Sequence, residues 1–414
     1  MRRALYTALL YLLLPLVPLR LLWRARRQRE YLSHVPERFG FYGGVRSAQP
    51  YLWIHAVSVG ETRAAEPLVR ALRERYPQHR LLITHMTPTG RETSQLLFGA
   101  NVDRCYLPYD YPGAVRRFLR HFKPAAGLLM ETELWPNLIH AAASAHVPVY
   151  LINARLSEKS YAGYRRHAGL VAEALRGLAG IAAQTEADAK RLAALGASAP
   201  RISGNLKFDI VPPPALVQQG VQWRENYGVR PVLLAASTRD GEEELLLDAL
   251  ERMAVAHLLL VIVPRHPDRF EEVAGILQRR GFAFQRRSAN AAVRPDTEVL
   301  LGDSLGEMFA YYAACDVAFI GGSLLPYGSQ NLIEPCAVGK PVLIGPSRYN
   351  FAEAAELAVE SGAALSVADV EDLAHKASEL LTDRNRARRM GEAGVAFCRA
   401  HQGAVQRVLE LVRF

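Results

Sequence analysis

The chain has 414 residues, half of them hydrophobic, more than one ordinary core can organise, so two domains of roughly 200 residues each are expected. Fifty Lys+Arg against 41 Asp+Glu give a formal charge of +9, which suits an anionic partner such as a membrane surface, a phosphorylated lipid or a nucleic acid. The four cysteines (Cys105, Cys315, Cys336, Cys398) form no CxxC pair, and HExxH, Walker, GxGxxG and Asp-x-Asp patterns are missing, which argues against a zinc ribbon, a disulfide framework or a metal-held nucleotide sugar.

Met1-Arg2-Arg3 precedes an uncharged run, Ala4 to Leu19, and Leu21, Leu22 and Trp23 extend it if Arg20 snorkels. No small-residue cleavage site follows, so residues 1–23 are expected to form a membrane-anchor helix and not a signal peptide. Arg20, Arg24, Arg26, Arg27 and Arg29 weight the C-terminal flank, which places the body of the protein in the cytoplasm. Pro15 and Pro18 leave open a kinked helix lying in the interface.

After a basic connector, strands and helices alternate. Strands are expected at 51–57, 81–84, 104–107, 126–130, 147–152, 180–183 and 201–203. Helices fit 61–76, 88–98, 112–121, 135–144, 166–176 and 186–195. The alternation predicts a parallel sheet covered on both faces over residues 24–208. Asp209-Ile210-Val211-Pro212-Pro213-Pro214 breaks it, and 209–220 is expected to be a linker. A second series covers 221–383, with strands at 232–236, 258–263, 298–301, 317–320, 341–344 and 364–366. Its helices fit 240–254, 268–280, 304–313, 330–338, 351–361 and 369–382, and a last helical stretch, 384–414, is placed to cross back to the first domain. The fold expected is α/β, with two Rossmann-like domains facing a central cleft.

Candidate chemistry sits where strands end. Tyr51 to Val57 runs into Ser58-Val59-Gly60-Glu61, and Glu61 opens the following helix. Ser58 with Glu61 three residues on also fits a capping box, so cap and catalytic base both stand. A helix start favours the ionised carboxylate, so a base there would be ready at neutral pH but intrinsically weak. Glu131-Thr132-Glu133 follows another strand; two carboxylates suit acid/base work or sugar hydroxyls, or simply begin the next helix. Lys207, just past 201–203, could offset phosphate charge, although a lone lysine is usually solvated.

The second half is richer in anion-binding patterns. Ser237-Thr238-Arg239, Pro264-Arg265-His266-Pro267 and Gly302-Asp303-Ser304-Leu305-Gly306-Glu307-Met308 each lead from a strand to a helix start. Gly321-Gly322-Ser323 and the run Asn331-Leu332-Ile333-Glu334 follow, with Asn331 and Glu334 three apart. Together these loops predict a nucleotide site.

The blocks His55 to Glu61, Glu131 to Asn137, Gly204 to Asp209, Pro264 to Pro267, Gly306 to Met308, and Asn331 with Glu334 occur in an order that resembles the bacterial 3-deoxy-D-manno-octulosonic acid (Kdo) transferases of lipopolysaccharide synthesis, over nearly the whole chain. The resemblance implies an inverting GT-B glycosyltransferase that moves Kdo from CMP-Kdo to a lipid A precursor without metal or other cofactor. It implies Glu61 as the base, and Glu131 and Lys207 as transition-state stabilisers. Pro264, Arg265, His266, Gly306, Glu307, Met308 and the run Asn331 to Glu334 would form the CMP site, beside Ser237. It also implies work at the inner membrane, on an anionic lipid surface and on the cytoplasmic side. The alternatives are a GT-B enzyme using a UDP-sugar with a lipid-linked acceptor, or a nucleotide-sugar epimerase. A nucleic-acid binder is disfavoured, because the arginines are spread along helices and no basic-aromatic strip is present.

Overall fold

A computed structural model describes residues 2–43 and 49–414; Met1 and part of the basic connector lie outside them. The chain divides into two compact units, Met1–Asp209 with Gln402–Phe414, and Ile210–His401.

The first unit carries β1 (Tyr51–His55), β2 (Arg80–His85), β3 (Asp103–Tyr106), β4 (Pro124–Met130), β5 (Val149–Ala154), β6 (Gly180–Ala183) and β7 (Arg201–Ile202). All pair in parallel, in the order β3-β2-β1-β4-β5-β6-β7. The order reverses between β1 and β4, where His55 lies beside Leu129. Alternate residues go to opposite cores: Trp53, Leu82, Leu129 and Leu151 pack on one face, Leu52, Ile54, Ile83 and Leu128 on the other. Gly127 is needed where it stands, because a Cβ there would lie 2.6 Å from Trp53 Cε3.

The second unit repeats the plan with β8 (Val232–Thr238), β9 (Leu259–Pro264), β10 (Phe284–Arg286), β11 (Val299–Leu301), β12 (Val317–Ile320), β13 (Val342–Ile344) and β14 (Ala364–Ser366). The order is β10-β11-β9-β8-β12-β13-β14, again all parallel, with its reversal between β8 and β12. Two parallel-sheet α/β units were expected from the alternation, and both are present.

Several elements differ from the expectation. Residues 3–25 form two helices, Arg3–Leu13 and Leu16–Ala25, bent by 60°, in place of one anchor helix. Pro15 stands at the start of the second helix, where it cannot supply the N–H that would continue the first. Among the described residues no single helix is long and apolar enough to cross a membrane. The first of these helices is tied to its unit by polar groups: Thr7 Oγ1 to Asn137 Oδ1 at 2.9 Å, Tyr6 to Asp110 at 3.0 Å, and Tyr111 to the Leu10 carbonyl at 3.1 Å. Leu5, Leu9, Leu12, Leu16, Leu19, Leu22 and Trp23 stay exposed.

The helix expected over 61–76 breaks into Val59–Ala64 and Glu66–Arg75, because Pro67 must sit in the first turn of a new helix. Half of the expected linker is helical: Pro214 begins a helix running to Asn226, and Gly220 lets it pack so closely that a Cβ there would lie 2.2 Å from the Ala310 carbonyl. The last helical stretch also breaks, at Gly403 with φ of 95°, giving Arg384–His401 and Ala404–Leu411. The final helix belongs to the first unit. There Asp209 accepts from Gly403 N at 2.7 Å and Val405 N at 2.5 Å, and Ala404, Val408 and Leu409 join the Leu52–Ile54 core.

Candidate active site

In the first unit the candidate residues gather at the carboxyl ends of β1 and β4, where the strand order reverses and α/β sheets bind ligands. Ser58 is the N-cap of the helix Val59–Ala64 and accepts from Glu61 N at 3.5 Å. The Glu61 carboxylate folds back: Oε2 accepts from Val57 N at 2.9 Å and Oε1 from Ser58 Oγ at 3.0 Å. This is the capping arrangement, displaced so that the N–H of Val57, and not that of the cap itself, is satisfied.

Capping and a raised carboxyl coexist here. Glu61 is only 9% exposed. Burial pushes its carboxyl up to about 7; Glu131 and Glu133 push the same way, while the Val57 N–H and Ser58 hydroxyl oppose it. The expectation of a weak, fully ionised base is therefore corrected. Desolvation and like charge outweigh the helix start, and the group is matched to neutral pH.

Glu131 lies just past β4 with φ of 58°, a left-handed backbone that is costly for a non-glycine residue. Its carboxylate accepts from Arg155 Nε at 3.0 Å. Glu133 accepts from Trp135 Nε1 at 2.8 Å, and burial raises its carboxyl as well. Beneath it, His55 is fully buried and neutral, held down to about 3 by burial and by His85, with its Nε2 3.9 Å from Glu133. Lys207 stands on the turn Leu206–Asp209. Burial lowers its ammonium, the charges of Glu131 and Glu61 raise it, and Arg155 lowers it. Glu61, Glu131 and Lys207 thus share one electrostatic neighbourhood. Arg155 belongs to it too, although no sequence motif singled it out. The signal available was a charged residue directly after an apolar strand, β5.

In the second unit the candidates again follow the carboxyl ends of strands, β8 and β12 at the reversal and β9 and β11 beside it. Ser237 near the end of β8 has φ of 59°, and the ladder to β9 shifts register there. Pro264 closes β9. Arg265 follows, its N–H bonded to the Thr238 carbonyl at 3.0 Å and its Nε to Gln330 Oε1 at 3.1 Å. His266 Nε2 lies 2.8 Å from Arg239 Nη1, and burial, Arg239 and Arg265 hold the imidazole below its ordinary value. Arg239 also lies over the Tyr327 ring at 4.9 Å. The result is a cationic corner built from β8, β9 and the loop after β12.

Asn331 lies outside the helix Ile333–Ala337 that was expected to carry it, yet its Oδ1 accepts from Ile333 N at 3.0 Å and its Nδ2 donates to Glu334 Oε1 at 3.1 Å. Leu332 and Ile333 are fully buried, so their side chains serve the core and only their backbone can meet a ligand. Glu307 precedes the helix Met308–Ala314 and is braced by Gln219 and Arg287, each 3.0 Å from Oε1. The helices opening at Met308 and Ile333 have only 7 and 5 residues, so anion attraction rests more on the arginines than on helix dipoles. Among the described residues, no three His, Cys, Asp or Glu side chains gather in a metal-holding group.

Comparison with known proteins bears on both units. The family model described as 3-deoxy-D-manno-octulosonic-acid transferase (kdotransferase) matches residues 33–210, and that of glycosyl transferases group 1 matches residues 244–396. A 3-deoxy-D-manno-octulosonic acid transferase of Bordetella pertussis is 45% identical, over 99% of this chain and 98% of that one. The Haemophilus influenzae protein of the same name is 38% identical, over 100% of this chain and 98% of its own. A solved glycosyltransferase structure from Rickettsia africae is similar in fold, with a TM-score of 0.59 at 12% identity, covering 88% of this chain and 98% of that one.

Proposed function

The chain belongs to the 3-deoxy-D-manno-octulosonic acid transferase family and is a glycosyltransferase, and on that premise we propose that it moves Kdo from CMP-Kdo to a hydroxyl of a lipid A precursor in lipopolysaccharide synthesis. The observation that carries the chemical part is Glu61: a carboxylate poised near 7, beside Glu131 and Lys207, at the strand-order reversal of the first unit.

In this reading Glu61 takes the proton of the acceptor hydroxyl as its oxygen bonds to the anomeric carbon. The bond from that carbon to the phosphate oxygen breaks, and CMP leaves with the electron pair. One displacement inverts the configuration, and no second carboxylate is needed as a nucleophile. Lys207 and Glu131 steady the charge that develops. Arg265 with its neighbours at β8, β9 and the loop after β12 holds the single phosphate, so no divalent ion or other cofactor is required. Pro264, His266 and the turns at Gly306–Met308 and Asn331–Glu334 shape the rest of the CMP site.

The same reading places the protein at the cytoplasmic face of an inner membrane. The exposed leucines and Trp23 of the bent helix pair, followed by Arg24, Arg26 and Arg27, suit insertion at an anionic lipid surface. A lipid-borne, phosphorylated acceptor resides there.

The test is to incubate purified protein with labelled CMP-Kdo, or with labelled UDP-sugars, and a lipid A precursor. Label should pass from CMP-Kdo to the lipid; consumption of a UDP-sugar alone would overturn the assignment.

A further inference from the structure

Two adjacent acids, Glu242 and Glu243, have no exposed surface, although acids in the first turn of a helix ordinarily face water. Glu242 accepts at Oε2 from Arg239 N at 2.9 Å and from Gly322 N at 2.5 Å, and at Oε1 from Leu324 N at 3.0 Å. One buried carboxylate therefore holds backbone N–H groups of two loops, the one leaving β8 and the one leaving β12. These strands are neighbours at the order reversal. Glu243 extends the tie to a third loop: Oε1 accepts from Thr238 Oγ1 at 2.7 Å and Oε2 from Arg269 Nη2 at 2.9 Å. Arg269 stands just past β9.

The loops so joined carry Ser237, Arg239, Arg265, His266 and Gln330. Buried carboxylates are expensive unless every lone pair is used, and here the N–H donors come from backbone that would otherwise be free to move. Gly321 and Gly322 allow the approach: a Cβ at Gly321 would lie 2.5 Å from the Ser237 carbonyl, and Gly322 has φ of 69°.

We propose that Glu242 is the positioning residue of the donor site: it fixes the β8 and β12 loops so that Arg239 and Arg265 meet the donor phosphate without rearrangement. This rests on the reading that the second unit binds CMP-Kdo. Glu242 acts through the loops and does not touch the substrate, so its loss raises the donor KM and leaves the acceptor KM unchanged.

The test has two parts. Hydrogen exchange on the wild-type protein without donor reads the amides of Gly322 and Leu324, which should be strongly protected; rapid exchange at both would overturn the proposal. Glu242→Gln keeps the size but turns an amide N–H toward one of the backbone donors. It should raise the donor KM and the inhibition constant of CMP at least tenfold, with kcat within about threefold and the acceptor KM unchanged. If it does not fold, Glu242→Asp retains the charge and should raise the donor KM several-fold. A folded variant with the wild-type donor KM, or with donor and acceptor KM raised equally, would overturn the proposal. A wild-type protein that binds no CMP would instead overturn the donor-site reading on which it rests.

Discussion

The backbone N–H of Val57 donates to Glu61 Oε2 at 2.9 Å, so the carboxylate proposed as base is held by the strand end that precedes its own helix. That bond favours the ionised form, yet burial beside Glu131 and Glu133 overrides it and lifts the group to about 7. The base is thereby oriented by its cap and strengthened by its surroundings.

The pH–rate profile follows. Only the ionised carboxylate accepts a proton, so kcat/KM should rise with pH as Glu61 is deprotonated, with an ascending limb centred near 7. Initial rates between pH 5 and 9 check this; a limb near the ordinary carboxylate value of 4.5 would show that burial does not govern the group.

Stability should move the opposite way. Folded Glu61 titrates at about 7 and the unfolded residue near 4.5, so between these values the folded state holds a proton that the unfolded chain has released. The contribution is complete below about 4.5 and is lost as pH rises through 7. Urea unfolding at pH 5 and pH 8 should show a smaller loss for Glu61→Gln than for wild type, by on the order of 2 kcal/mol.

Arg265 is placed at the end of β9 with its guanidinium bonded to Gln330. Arg265→Ala removes a charge-assisted donor to the phosphate and should weaken CMP binding about 10- to 100-fold. Calorimetric titration with CMP measures it, and unchanged affinity would move the phosphate elsewhere.

Gly127 offers a test of the scaffold under the site. Its Cβ would overlap the Trp53 ring, so Gly127→Ala should cost about 1–3 kcal/mol. Thermal unfolding reads the change, and a neutral substitution would mean that β1 and β4 can part without strain.

Much of this was legible before any coordinates. Apolar runs closed by polar turns gave thirteen of the strands; Glu131, Ser237 and Arg265 stand at the ends of β4, β8 and β9, and Glu61 and Lys207 lie in the helical turns that follow β1 and β7. β10 escaped because Phe284–Arg286 is a half-buried edge segment without alternation. The helix Pro214–Asn226 was hidden by three prolines that read as a stop, although a proline at the first helical position begins a helix readily. The pKa of Glu61 could not be read locally, since it depends first on burial in the folded unit and then on Glu131 and Glu133, some 70 residues away. Arg155 and Glu242 were missed for the same reason: each acts through partners brought together only by the sheet order.

The most direct measurement is single-turnover transfer from CMP-Kdo to a lipid A precursor by wild type and by Glu61→Gln, with folding and CMP affinity recorded on the same samples. Glu61→Gln should lose at least 100-fold in the transfer rate while staying folded and binding CMP as wild type does. Transfer at the wild-type rate by the folded variant would leave Glu61 a helix cap and nothing more.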